Sequence, residues 1–155
     1  IIKWPGLTKS GSVCDKLVSQ IDFMATIASS LGYKLPDNAA EDSHDLLPLL
    51  RGKKVNPRTI HVHNTRADAW AIRVGEWNLI EGKSGYHSRV NKNWETKRNY
   101  PADDKDSVEL YHYDQDRSQR VNLAKKSPKK VAELQKELKI ARERGFTAPR
   151  LLDNE

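Results

Sequence analysis

"ELYHYDQDRSQRVNLAKKSPKKVAEL", residues 109–134, sets three elements in a fixed order. Its first residues continue a β-prone run, "VELYHYD", that reads as a strand. A polar turn follows, in which the carboxylates of Asp114 and Asp116 are placed to accept hydrogen bonds from nearby backbone N–H groups. Ser127 then caps a helix that carries Pro128 in its first turn, where a missing N–H costs nothing. Val131, Leu134, Leu138 and Ala141 make a narrow apolar stripe at helical spacing, and Gly145 ends it. A strand, a turn and a one-sided helix in this order predict a helix lying back on a sheet.

Working outward, the segment before this stretch supplies the rest of that sheet. From Arg58 the pattern turns to period two: "TIHVHNT" alternates Ile60 and Val62 with His61 and His63. "AWAIRVG" and "EWNLIEG" flank Gly75-Glu76 and predict a hairpin. Residues 83–107 read as a long, polar, irregular loop, of a length that in a compact domain is functional or disordered. Farther upstream, Ile1-Ile2-Lys3-Trp4 reads as a strand ended by Pro5-Gly6. Ser19 with Asp22 three residues on resembles a capping box. Ile21, Met24, Ala25, Ala28 and Leu31 then fall on one helical face, the expected core face, and Gly32 is a stop signal. Residues 33–45 form a polar loop, "DLLPLLRG" a short apolar turn or helix, and residues 53–57 a linker. The expected fold is α+β: an N-terminal strand and helix, then a roughly four-stranded antiparallel sheet packed against a C-terminal helix. The expected boundary separates residues 1–57 from 58–155.

Composition narrows the functional classes. With 155 residues and 31% charged side chains, the chain is long enough for a real core and is not a disordered segment. No apolar run approaches the roughly 20 residues of a membrane-spanning helix. A single cysteine, Cys14, excludes an internal disulfide and a cysteine-based zinc site. Lys and Arg exceed Asp and Glu by 27 to 21, a net charge of +6 that suits anionic partners. The cations are dispersed rather than gathered in a phosphate-tracking stripe, which argues for a solvated basic surface and against nucleic acid. The opening Ile1-Ile2, without an initiator Met or a signal peptide, predicts a piece of a longer polypeptide.

Four segments, in order, resemble the C-terminal portion of the arylsulfatase-type, formylglycine-dependent sulfatases. "IIKWPGLTKSGSVCDKLVSQIDFMATIASSLGYKLP" is similar to the family's Trp-Pro-Gly strand and Ile-Asp helix. "DLLPLLRGK" is similar to its Leu-Leu-Pro-Leu-Leu-x-Gly segment. "AIRVGEWNLI" resembles its Arg-x-Gly-x-Trp-Lys-Leu hairpin, with Asn78 in place of Lys, and "ELYHYDQDRSQRVNLA" its Glu-Leu-Tyr-Asp-Leu…Asn-Leu run, with His112-Tyr113 in place of Asp-Leu and Arg117 in place of Pro. The resemblance implies a parent that hydrolyses aryl or carbohydrate sulfate esters on an alkaline-phosphatase-like α/β fold, in a family whose members are commonly secreted. It implies that residues 1–57 are the end of the catalytic α/β domain and 58–155 a smaller sheet-plus-helix subdomain, with formylglycine and calcium in a missing N-terminal portion, which would be this chain's partner. The formylglycine motif Cys/Ser-x-Pro-x-Arg is absent, since Cys14 is followed by Asp15-Lys16-Leu17. No catalytic or metal-binding residue is therefore expected in this chain, and the piece alone is expected to be inactive.

What this portion can contribute is a wall of the substrate pocket. The resemblance implies a pocket-lining histidine in the loop after the hairpin, carried over to His87. His61 and His63, two apart on a strand, share a face; a plain polar sheet face, pocket lining and metal ligation all fit that spacing. Asn64 and Arg66 follow at the strand's end. Lys83, Arg89, Lys92 and Lys97 surround Trp94, cations beside an aromatic that suit a sulfated sugar ring or simply make a basic loop. Arg73 is expected to be structural, pairing with a carboxylate, and Trp70 and Trp77 to belong to the core. The first strand, left without neighbours, is expected to be an exposed edge open to self-association. The alternative reading is an independent basic module that binds sulfated polysaccharide or nucleic acid.

Overall fold

The computed structural model describes residues 1–64, 69–82, 92–99 and 107–148. Its elements are α1 (Phe23–Ser30), α2 (Leu47–Leu50), β1 (Ile60–Asn64), β2 (Trp70–Val74), β3 (Trp77–Glu81), α3 (Lys92–Lys97), β4 (Val108–His112) and α4 (Pro128–Arg144). They divide into two compact units, residues 1–61 with 144–155, and residues 62–143. Among the described residues no helix is long and apolar enough to cross a membrane.

The sheet has the strand order β1-β2-β3-β4, and β2, β3 and β4 pair antiparallel in succession. The two-residue connection at Gly75-Glu76 sets Val74 opposite Trp77. Gly75 takes a positive φ of 56° and Glu76 does not, the pattern of a II′ turn that suits the twist of the strands it joins. The register aligns Ile72, Leu79 and Leu110 across three strands on one face, and all three are fully buried.

α4 covers that face. Leu134 and Leu138 are its buried positions. Three side chains of the same face mark its course: Lys130 lies 5.8 Å from the Trp77 ring, Gln135 Nε2 donates to Glu81 at 2.9 Å, and the Arg142 guanidinium sits 4.3 Å from the Trp70 ring. The α+β architecture expected from the sequence is therefore present, with the final helix laid on the antiparallel sheet.

The turn between β4 and α4 is built by two side chains. Asp116 accepts the backbone N–H of Val121 at 2.8 Å and that of Arg120, which lets the chain reverse through Gln119 at a φ of 52°. Asn122 then acts as a surrogate strand. Its Oδ1 accepts the N–H groups of Leu110 and Ala124, its Nδ2 donates to the Val108 carbonyl, and Leu123 N–H donates to the Leu110 carbonyl at 2.8 Å. The free edge of β4 is thereby closed without a fifth strand.

In the first unit α1 follows a single 3-10 turn over Gln20–Asp22. It ends where Gly32, at a φ of 67°, lets Tyr33 N–H reach the Ala28 carbonyl and Gly32 N–H the Ser29 carbonyl, the paired bonds of a Schellman cap. α2 realises the short "DLLPLLRG" helix, with the Asp45 carboxylate accepting the Leu47 N–H at 2.8 Å. The segment from residue 144 joins this unit because Ala148 N–H donates to the Glu41 carbonyl at 2.8 Å and Thr147 Oγ1 to Asp42.

Three sequence expectations change. Residues 1–4 are not a strand: the Trp4 carbonyl accepts the N–H groups of both Leu7 and Thr8, which folds Pro5-Gly6 into a turn. The stretch 83–107 is not irregular throughout, because residues 92–97 form α3. The core face of α1 is also displaced from the expected one. Ala25 and Ala28 are buried as expected, but they share the buried side with Asp22 and Thr26, while Met24 and Leu31 face solvent.

Candidate functional site

Of the residues singled out in the sequence, His61, His63 and Asn64 lie on β1. His87, Lys83, Arg66 and Arg89 lie outside the described residues. How β1 is held therefore decides what its side chains can do.

Its anchor is a buried ion pair absent from the sequence expectations. Asp22 and Arg58 are both fully buried, and Arg58 forks onto the carboxylate through Nε at 3.1 Å and through Nη2. The same carboxylate accepts the Ser19 N–H at 2.8 Å and the His44 N–H at 3.0 Å, so its lone pairs are well used. Burial alone would raise the Asp22 carboxyl. The Arg58 guanidinium and the His44 and Ser19 amides outweigh it and hold the group below the usual carboxylate value. Arg58 spends its remaining donors on the Asp42 carbonyl and, at 3.0 Å, on the Ile60 carbonyl. Its Nη1 also lies 3.5 Å from His61 Nδ1. A guanidinium can only donate, so this approach places the His61 proton on Nε2, pointing away from the ion pair.

His44 belongs to the same cluster. Its Nδ1 lies 2.6 Å from the Pro57 carbonyl and must carry the proton, leaving Nε2 as a buried acceptor. Burial, reinforced by the Arg58 charge against the opposing pull of the Pro57 carbonyl, lowers its pKa and keeps the ring neutral. Side chains of α1 and of the segment before α2 close the network. Ser43 Oγ accepts the Ala25 N–H at 2.9 Å, and Thr26 Oγ1 accepts the Leu46 N–H at 3.0 Å while donating to the Asp22 carbonyl. The only sequence hint of this cluster was the Ser19/Asp22 capping pattern. Arg58 lies 36 residues from Asp22, a separation that local pattern does not bridge.

Beyond the anchor, β1 ends at His63 and Asn64, both exposed. Desolvation of its ring nonetheless lowers the His63 imidazole below the usual histidine value, which favours the neutral donor–acceptor form at neutral pH. Among the described residues no group of three His, Cys, Asp or Glu side chains is placed to hold a metal ion. Cys14 is exposed and outside any formylglycine motif. The described residues thus fit neither calcium nor a formylglycine nucleophile, and no catalytic step is assigned to them.

The basic residues around Trp94 resolve into two parts. Trp94 and Lys97 sit on α3, where Arg98 stacks 4.3 Å from the Trp94 ring. Arg120 Nη1 donates to the carbonyls of Arg98 and Asn99, tying α3 to the turn after β4. Arg73 is structural, as expected: it donates to the Gly75 carbonyl, lies 3.7 Å from Glu76 and covers the Tyr113 ring at 3.9 Å.

Comparison with known proteins bears on what this arrangement belongs to. No family model matches the chain. It is 33% identical over 144 residues to an N-acetylgalactosamine-6-O-sulfatase of Bacteroides thetaiotaomicron, across 93% of this chain and 27% of that protein. Human steryl-sulfatase is 38% identical over 53 residues, 34% of this chain and 9% of that enzyme. A solved structure from work on glycosaminoglycan metabolism by Bacteroides thetaiotaomicron superposes with a TM-score of 0.64 and 30% identity over 83% of this chain and 25% of that one. A second, solved with D-glucosamine-2-N,6-O-disulfate as its substrate, gives a TM-score of 0.62 at 19% identity and supports the fold alone. The chain thus spans about a quarter of the length of the relatives it matches from end to end. The strand–turn–helix order, the Asn122 bridge and these matches converge: this chain belongs with the sulfatases and corresponds to the C-terminal part of their architecture.

Proposed function

We propose that this chain is the C-terminal part of a sulfate-ester hydrolase acting on a sulfated carbohydrate, and that it serves as one wall of the substrate pocket. The observation that carries this reading is the match across 93% of the chain to a protein named as a sugar sulfatase. In the sulfatase family the nucleophile is a formylglycine assisted by calcium. On this reading both reside in the polypeptide that precedes these residues, which is the chain's principal partner.

The chemistry left to this part is recognition of the leaving alcohol. His63 and Asn64, at the exposed end of β1, offer neutral hydrogen-bonding groups suited to sugar hydroxyls. His61, oriented by Arg58, offers an Nε2 donor on the same strand. His87 and Lys83, in the segment after β3, complete the proposed lining, with Lys83 suited to a sulfate oxygen.

The test uses the longer protein. His63→Ala, Asn64→Ala and His87→Ala are expected to raise KM for a sulfated hexosamine about tenfold each, roughly the loss of one hydrogen bond to substrate, with a smaller change in kcat. Unchanged KM in all three would remove the pocket-wall role. Release of sulfate from steroid sulfates but from no sulfated sugar would reject the carbohydrate assignment.

A further inference from the structure

α3 sets an aromatic side chain in solvent beside a guanidinium that has no carboxylate to hold. Trp94 is 41% exposed, and the Arg98 guanidinium lies 4.3 Å from the centre of its ring. Among the described residues no carboxylate pairs with Arg98, and Lys97 adds a second cation beside it. A helix of six residues has little stability of its own, and this one is fixed at its C-terminus. Asn99 takes the left-handed conformation at a φ of 49°, and Arg120 Nη1 donates to the Arg98 carbonyl at 3.0 Å and the Asn99 carbonyl at 3.2 Å. Asp116, an acid of the turn that carries Arg120, is occupied by the backbone N–H groups of Arg120 and Val121. The turn thus holds α3 through its backbone and leaves the stacked pair at the surface.

We propose that Trp94 and Arg98 form a second glycan-binding site, which takes an anionic sugar of the substrate chain other than the one that loses its sulfate. The proposal rests on the sulfated-carbohydrate reading above. A pyranose has an apolar C–H face that stacks on an indole, and a guanidinium fork matches a sulfate or carboxylate on the same sugar. Stacking on Trp94 already orders the Arg98 fork, which lowers the cost of fixing it on binding. A second copy of this chain, itself of net charge +6, does not complement such a pair, whereas a polyanion does. Topology separates the site from the pocket wall. β4 ends at His112 opposite Trp77, so the turn that carries Arg120 leaves from the end of the sheet where the β2–β3 hairpin reverses. β1 and β2 are neighbours joined by residues 65–69, too few for a parallel crossover, so His63 and Asn64 lie at the other end, where Trp70 begins β2. The length of β2, about 14 Å, lies between the two ends. A glycan that reaches both places is held twice, so the site favours sulfated oligosaccharides over single sugars.

Two substrates given to the longer protein test this: a 6-sulfated N-acetylhexosamine, and an oligosaccharide that carries the same unit at its end with further sulfated sugars behind it. Trp94→Ala and Arg98→Ala are each expected to raise KM for the oligosaccharide about tenfold. Both should leave KM and kcat for the single sugar unchanged, which also shows that the variants fold. Trp94→Phe, which keeps an aromatic face, should retain most of the parent's preference for the oligosaccharide. An unchanged oligosaccharide KM in both alanine variants, or an equal rise for the two substrates, would overturn the proposal. Electrophoresis through a gel containing sulfated polysaccharide separates this site from the sulfatase reading. Retardation that falls in both alanine variants, in a protein inert toward every sulfate ester, rejects only the activity. An active protein retarded equally with and without the substitutions rejects only the second site.

Discussion

Asp22 and Arg58 concentrate the first unit's tolerance to mutation in one contact. Both are fully buried, so removing one partner strands a charge. Asp22→Ala is expected to cost about 3–5 kcal/mol, measured by denaturant unfolding, whereas the double change Asp22→Ala with Arg58→Met should recover much of that loss. The same cluster sets a pH dependence. His44 is held neutral, its pKa lowered from the ordinary 6.5. Below that value the unfolded chain takes up a proton that the folded one refuses. This contribution is therefore complete above about pH 6.5 and is lost as pH falls through the folded value. Asp22, also lowered, acts in the same direction farther down, below its ordinary 3.8. His44→Asn, which keeps a donor toward the Pro57 carbonyl, should flatten the stability curve between about pH 7 and pH 5, read by denaturation at each pH. Beyond the Ser19/Asp22 capping pattern none of this was legible in the sequence, where Arg58 marked only the start of an alternating run.

At the scale of elements, the sheet and the last helix were legible because their signals are local. Period-two runs flank Gly75-Glu76, and Leu134 and Leu138 recur at helical spacing beneath a Ser127-Pro128 start. α1 was legible in its limits, through Ser19 and Gly32, but not in its orientation. Hydropathy places a large side chain out of water without saying which polypeptide covers it, and here the covered side is small and polar. Residues 1–4 pair with no described strand, while the Pro5-Gly6 turn on the Trp4 carbonyl lies where the sequence ended that run. α3 was missed because the five polar residues that accompany Trp94 in it carry no apolar stripe. Two substitutions probe the elements that did emerge. Leu138→Ala, at a fully buried position of α4, should cost about 2–5 kcal/mol in denaturant unfolding. Asn122→Ala removes three hydrogen bonds, two of which close the edge of β4, and should cost about 1–3 kcal/mol, with faster amide exchange at Leu110 as the specific readout. Gly82 tolerates no side chain easily, since a Cβ would lie 3.2 Å from Ala69 and its φ is 101°.

At the scale of the molecule, the account makes this chain a support and a pocket wall, with the bond-breaking groups elsewhere. Its described residues hold no cluster suited to a metal ion, and Cys14 stands outside the formylglycine motif. The proposed recognition role falls to the exposed end of β1, His63 and Asn64. Sulfate release measured side by side for this chain alone and for the longer protein tests this most directly, with a 6-sulfated N-acetylhexosamine as substrate. The account predicts turnover by the longer protein and none by this chain; sulfate released by these 155 residues on their own would contradict it.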